Sequence, residues 1–120
     1  AADYAAQCTW EHNSNRSDNY PGYVGENLAL FSSGWPLGSM VESTLTNWVE
    51  DELPDYDYAT NSCSGTCGHY TQVVWRDTEA VGCAVQQCAT FTNLGSSWDN
   101  GYMVVCNYSP GGNIVGQQPY

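Results

Sequence analysis

Imidazole is the side chain best suited to proton transfer or metal ligation near neutral pH, and this chain has two, His12 and His69. His69 lies in the stretch Ser62–Arg76, Ser-Cys-Ser-Gly-Thr-Cys-Gly-His-Tyr-Thr-Gln-Val-Val-Trp-Arg, which pairs two cysteines with an imidazole and an apolar run ending in Trp75. His69 is expected to look into a shallow polar cleft walled by the rest of the chain. Three chemistries compete there. A neutral His69 could act as general base for Ser62, Ser64 or Thr71 as nucleophile. The chain has no Gly-x-Ser-x-Gly turn to present such a nucleophile, so a hydrolase, metal-dependent or not, is a competing and minor reading. Cys63-x-x-x-Cys67 has the look of half a zinc site, but no second closely spaced Cys/His pair completes it. A binding or structural site, non-enzymatic, is the expectation.

A carboxylate belongs to the same problem. The clearest helix runs over about Ser39–Glu52, where Val41, Leu45 and Trp48 fall in one stripe at 100° per residue. Glu52 lies in the middle of that stripe and Asp51 at its edge. A carboxylate centred on an apolar face needs a partner, because burying it alone is costly.

The elements that must position these groups can be read in order. Ala1–Cys8 is alanine-rich and helical, with no N-cap residue before it, as the end of a longer helix would be. Asn13–Gly22 is a polar loop holding the glycosylation sequon Asn15-Arg16-Ser17. Gly25–Phe31 suits a strand, with Leu28 and Leu30 alternating with smaller groups. Ser32–Gly38 is a Gly/Pro loop that exposes Trp35. Pro54 ends the helix, and Tyr56 and Tyr58 flank Asp57 before the cysteine loop. His69–Trp75 reads as a short helix with Tyr70, Val73 and Val74 on one face, or as a strand. Val81–Cys88 and Tyr102–Tyr108 are strands joined by a turn-rich link over Asn93–Gly101. Pro110–Tyr120 is an extended tail. No internal repeat or linker divides the chain, so residues 1–120 form one domain.

Composition bounds the function. The chain carries 13 acidic residues, no lysine and only Arg16 and Arg76, for a net charge of −11. Nucleic acid and anionic lipid headgroups would be repelled. The surface reads as that of a soluble extracellular protein, with recruitment of cations or a basic partner as the second reading. No apolar run approaches the roughly 20 residues of a membrane helix. No signal peptide is visible, and a start at Ala1 without methionine reads as a mature or trimmed product. Six cysteines, an even number in a short chain, indicate three disulfides and an oxidising compartment.

Gly68-His-Tyr-Thr-Gln-Val-Val-Trp75 resembles the first signature of the superfamily of cysteine-rich secretory proteins, insect antigen-5 allergens and plant pathogenesis-related proteins (the CAP superfamily). Tyr102-Met-Val-Val-Cys-Asn-Tyr-Ser-Pro-Gly-Gly-Asn113 resembles the second, and Gly25-Glu-Asn-Leu28 the strand motif that carries a pocket glutamate. Tyr56-Asp-Tyr-Ala-Thr-Asn-Ser-Cys63 and the Gln117-Gln-Pro-Tyr120 ending are most similar to the plant pathogenesis-related branch and its microbial relatives. The resemblance implies an α+β fold, an α-β-α sandwich with a small antiparallel sheet between helical layers. It implies the disulfides Cys8–Cys88, Cys63–Cys67 and Cys83–Cys106, and a secreted protein.

Carried over by position, the resemblance implies a site of His12, Glu26, Glu52 and His69, a set suited to zinc or another divalent cation. The family spaces its helix tryptophan three residues before the site carboxylate, which here would be Asp51; the stripe geometry favours Glu52. Relatives are implicated in sterol or lipid binding, for which Trp35, Leu37 and Met40 would supply an apolar lip. The tail Pro110–Tyr120 resembles a defence peptide released from plant relatives. The family also has a further N-terminal helical region. Its lack here implies a trimmed fragment or an uncovered flank of the sheet, and with it self-association, a partner chain or a structural role in an extracellular assembly.

Overall fold

The computed structural model describes all residues from Ala1 to Tyr120. Its centre is a sheet of three antiparallel strands in the order β1-β5-β4, with β1 Gly25–Phe31, β4 Ala80–Cys88 and β5 Gly101–Ser109. Side chains alternate across a strand, and β5 uses both faces. Met103 and Val105 face a cluster with Tyr4, Ala5, Leu28 and Phe91 on one side. Val104, Cys106 and Tyr108 face Ala29, Phe31, Met40 and Trp48 on the other. The first side is covered by α1 (Ala2–Ala5) and the second by α2 (Leu37–Leu45) and α3 (Gly68–Val73). The expected α+β sandwich, a sheet between two helical layers, is what forms.

Several elements differ from expectation in ways the physics explains. The first helix is shorter than Ala1–Cys8, because Cys8 adopts φ 53 and turns the chain out of it. The second helix starts earlier, and over Thr46–Glu50 it widens into a π turn in which the Asp51 N–H bonds to the Thr46 carbonyl. One residue is thereby accommodated beyond a regular α turn. The buried stripe follows a four-residue repeat, Met40, Thr44, Trp48 and Glu52. Val41 and Leu45, expected to share the stripe with Trp48, are 60% and 51% exposed. Only Trp48 of that trio faces the core.

Tyr56–Asp57 (β2) and Ser62–Cys63 (β3) form a two-stranded hairpin that the sequence did not announce. Of the two readings for His69–Trp75, the helix forms, and Gln72 is buried on it together with Tyr70. Residues 110–120 are extended, as expected, and are knitted to α3 and the small hairpin. Gly112 N–H donates to Gln72 Oε1 at 2.9 Å, and Asn113 Nδ2 donates to the Gly68 carbonyl at 2.8 Å. Asn113 Oδ1 accepts from the Thr71 hydroxyl. Further along, Arg76 N–H donates to the Pro119 carbonyl, and Tyr120 stacks on Tyr58 and shares a hydrogen bond with the Tyr70 hydroxyl. Gly112 is needed for its size, since a Cβ there would sit 2.5 Å from the Trp75 ring.

The three disulfides form in the implied pairs. Cys83–Cys106 joins directly opposed residues of β4 and β5. Cys8–Cys88 closes 80 residues of chain and Cys63–Cys67 only 4. On loop entropy the long bridge stabilises by about 4–5 kcal/mol and the short one by about 2. Replacing Cys8 and Cys88 together by serine should therefore lower the thermal midpoint more than replacing Cys63 and Cys67, measured by circular dichroism. An equal or reversed order would show that strain, not loop closure, governs these staples.

Two phenols predict an alkaline limit. Burial pushes Tyr108 up to about 12, against the opposing effect of its hydrogen bond from Asn27. Burial, the Tyr120 hydroxyl bond and the neighbouring Tyr120 and Tyr56 phenols push Tyr70 up to about 12 as well. The fold thus holds both protonated above the ordinary value of 10.0. Their contribution to stability is complete below pH 10 and is lost as pH rises from about 10 towards 12. Thermal midpoints measured across pH 8–12 should fall in that window (a range of about four units), and Tyr108→Phe should flatten the fall.

Candidate functional site

The wide turn sets Glu52 pointing inward, 6% exposed, against the start of α3. Glu52 Oε2 accepts from the His69 N–H at 2.9 Å and the Tyr70 N–H at 3.0 Å, and Oε1 accepts from His69 Nδ1 at 2.6 Å. The residue preceding α3, Cys67, offers no side-chain cap. A carboxylate from another helix therefore satisfies the free N–H groups that every helix start leaves, and favours the positive end of its dipole. The Trp48 ring lies parallel to the imidazole, with centroids 5.7 Å apart and 8° between planes. Trp48 Nε1 donates to the Leu28 carbonyl, and Asn27 Nδ2 donates to the His69 carbonyl at 3.1 Å. Asp51 is exposed and takes no part, so the register read from the helix stripe places Glu52, not Asp51, beside His69.

His12 is held in the same manner from β1. Glu26 Oε1 accepts from His12 Nδ1 at 2.9 Å and from the Asn13 N–H at 2.8 Å, while Oε2 accepts from Asn107 Nδ2 at 3.0 Å. The Glu26 side chain is fully buried and the imidazole half exposed. The Tyr4 phenol, which donates to the Glu11 carbonyl, is raised by burial and then by the Glu26 and Glu11 charges.

Glu26 and Asn27 are neighbours on β1, an outer strand of the sheet, and point to opposite faces. One holds the His12 ring and the other the backbone of His69, so the two imidazoles flank that outer strand. With Nδ1–H donated to a carboxylate, each neutral ring carries its free lone pair on Nε2. Glu26 and Glu52 spend their oxygens on these bonds and serve to orient the rings. No three His, Cys, Asp or Glu side chains converge as a metal-binding cluster. The His12 ring is 58% exposed and the His69 ring 33%.

The other expected residues divide. Trp35 and Leu37 are exposed, Trp35 leaning on Phe31 at 5.1 Å. Met40 is fully buried in the core and forms no part of a lip there, because the four-residue repeat turns it inward. None of Ser62, Ser64 or Thr71 bonds to an imidazole. Their hydroxyls engage Thr60, Asp55, and the Cys67 carbonyl with Asn113, respectively. Asn15 is exposed in a turn. Sequence reasoning missed Asn27 and Asn107. Asn27 stood inside the Gly25-Glu-Asn-Leu28 motif as a polar residue in a strand buried on both faces, which was signal enough to mark it.

The chain matches the family model described as "CAP: Cysteine-rich secretory protein family" over residues 1–108. It is 38% identical to human cysteine-rich secretory protein LCCL domain-containing 2, over all of this chain and 25% of that protein. It is 39% identical to maize pathogenesis-related protein PRMS, over all of this chain and 62% of that protein. To a pathogenesis-related protein 1 of Arabidopsis thaliana it is 46% identical, over 82% of this chain and 53% of that one. The chain therefore spans between a quarter and about three fifths of these relatives. Among solved structures, Schistosoma mansoni venom allergen-like protein 4 superposes with a TM-score of 0.71 at 29% identity, covering 98% of this chain and 64% of that one. Na-ASP-1 gives 0.74 at 26% identity, covering all of this chain and 29% of that one. With its two histidines backed by buried glutamates, its sheet between helical layers and its three staples, the chain belongs to the cysteine-rich secretory protein (CAP) family.

Proposed function

We propose that this chain is an extracellular binding domain, not a catalyst, and that its two imidazoles take up a divalent cation, zinc by preference. The observation that carries the reading is the pair of carboxylate–histidine bonds, which fix both rings with Nε2 free. The donor chemistry fits zinc: imidazole nitrogen is a standard ligand, and a carboxylate behind it holds ring orientation and raises basicity. His12 and His69 would hold the ion, Glu26 and Glu52 would orient them, and water would complete the coordination. Bound there, the cation would tie the His12 loop to α3 across β1. The net charge of −11 raises the local cation concentration and adds a salt-sensitive part to the affinity. Three disulfides and the secretory family support the extracellular placement.

Titration calorimetry at neutral pH tests this. The wild type should take up zinc, and His69→Ala and His12→Ala should each weaken uptake by about tenfold or more. Glu52→Gln should cost on the order of tenfold by loosening the ring, and Asp51→Ala should change little. Proton and metal compete for the same Nε2 lone pairs, so uptake should fall on acidification. No heat of zinc binding in the wild type ends the metal reading, and a damaging Asp51→Ala would overturn the assigned orienting group.

The exposed Trp35 and Leu37 support a second reading, sterol or lipid binding through the Ser32–Pro36 loop. Trp35→Ala should abolish uptake of a fluorescent sterol without changing the thermal midpoint. Uptake unaffected by that change would remove the loop from consideration.

A further inference from the structure

β4 is the outer strand of the sheet opposite β1, and its free edge is open. Cys83 faces Cys106 on β5 with the two Cα atoms 4.1 Å apart. So close an approach marks a pair that exchanges no ladder hydrogen bonds, since bonded antiparallel pairs stand about 5.5 Å apart and the others about 4.5 Å. The backbone groups of Cys83 therefore point away from β5. By the two-residue alternation, so do those of Val81, Val85 and Gln87. These N–H and C=O groups find one partner among them, Gln86 Nε2, which donates to the Gln87 carbonyl at 2.6 Å. All four residues are exposed.

Soluble proteins guard sheet edges with charge, proline, a bulge or shortness. β4 has none of these. It is nine residues long, Ala-Val-Gly-Cys-Ala-Val-Gln-Gln-Cys, and pairs with β5 one to one throughout. The outer edge of β1 is engaged instead, Trp48 Nε1 donating to the Leu28 carbonyl. An open backbone ladder is directional and takes an extended strand. We propose that β4 pairs antiparallel with β4 of a second copy, about a twofold axis at Ala84, joining the two sheets into one.

Register and charge select a second copy as the occupant. Centred on Ala84, the pairing sets Val81 against the partner's Gln87 and Cys83 against the partner's Val85, and the reverse. Every outward residue of one copy thus meets an outward residue of the other, and the Gln87 carbonyl exchanges a side-chain donor for a backbone one. Val81 and Val85, 61% and 39% exposed, gain cover from the same-face side chains of the neighbouring strand. Two chains of net charge −11 repel in most orientations. From Ala80 to Trp98 there is no charged residue, so approach along β4 keeps carboxylates out of the ladder. With β1 engaged, each copy has one open edge, and an isologous pairing closes at two.

Sedimentation equilibrium of the 120-residue chain should show a reversible dimer, strengthened by added salt as the mutual repulsion is screened. Amide exchange at Val81, Cys83, Val85 and Gln87 should slow with protein concentration, while Gly82 and Ala84, whose backbone groups serve the ladder with β5, should not change. Val85→Pro removes an outward donor that β5 does not use, so the fold should survive while association weakens by about tenfold or more. Val81→Glu, a charge on the unguarded edge, should weaken association by a similar factor without touching the backbone. Leu45→Gln, on the exposed face of α2, should leave it unchanged. A monomer at every concentration and salt level overturns the proposal and leaves the edge to an extended segment of another protein. A dimer that survives both Val85→Pro and Val81→Glu, or that Leu45→Gln abolishes, overturns it too, since the face of α2 is then the seat. Growth beyond two copies overturns the twofold pairing.

Discussion

One buried carboxylate connects the helical layer to itself. Glu52 arrives from the end of α2 and receives two backbone N–H groups and one imidazole from α3. Isolated, such a charge would not stay in the core. Three donors on two oxygens make it the cap of a six-residue helix that has none of its own. The dependence runs both ways, because a buried acceptor left without its donor costs about 1–3 kcal/mol, more for a charged group. The orientation of His69, the stacking of Trp48 on it and the start of α3 all follow from where Glu52 stands.

The sheet extends that constraint to the second histidine. Consecutive residues of β1 point to opposite faces, so Glu26 and Asn27 serve different helical layers from one short segment. Asn27 is buried and divides its amide between the His69 carbonyl and the Tyr108 hydroxyl, which ties α3 to the central strand. Residues 111–120 complete the frame from the far side, bonding to the start, middle and end of the Gly68–Arg76 segment. The short helix is gripped by a carboxylate, an amide and a strap, which compensates for its having too few turns to be stable alone.

Much of this was legible in the residues and some was not. Strands β1, β4 and β5 carried clear apolar patterns, and the motif order around His69 and Tyr102 identified the fold and the cysteine pairs. Glu52 was found because a charge on an apolar stripe has to be explained. The rest of that stripe was misread, since a fixed 100° step cannot anticipate a π turn: Val41 and Leu45 were placed inside, where Met40 and Thr44 stand instead. Met40 was assigned to a ligand lip from the resemblance, and the four-residue repeat turns it into the core instead. The β2–β3 hairpin escaped notice because two-residue strands leave no periodicity to detect. His12 had no local pattern at all. Its partner is fourteen residues away, and only the comparison of motif positions brought them together.

The wide turn at Thr46–Glu50 has a bearing on how such chains drift apart. A helix that gains one residue must either rotate everything beyond the insertion by about 100° or absorb the extra unit locally. Here it is absorbed, and the carboxylate that follows still reaches its imidazole. Two descendants differing by that residue would need a gap in mid-helix when written as text, yet would superimpose in space with none. Letter-by-letter correspondence then nominates Asp51, an exposed side chain, as the equivalent of a buried one. In this segment, homology of position is carried by the side chain's destination and not by its count from the nearest tryptophan.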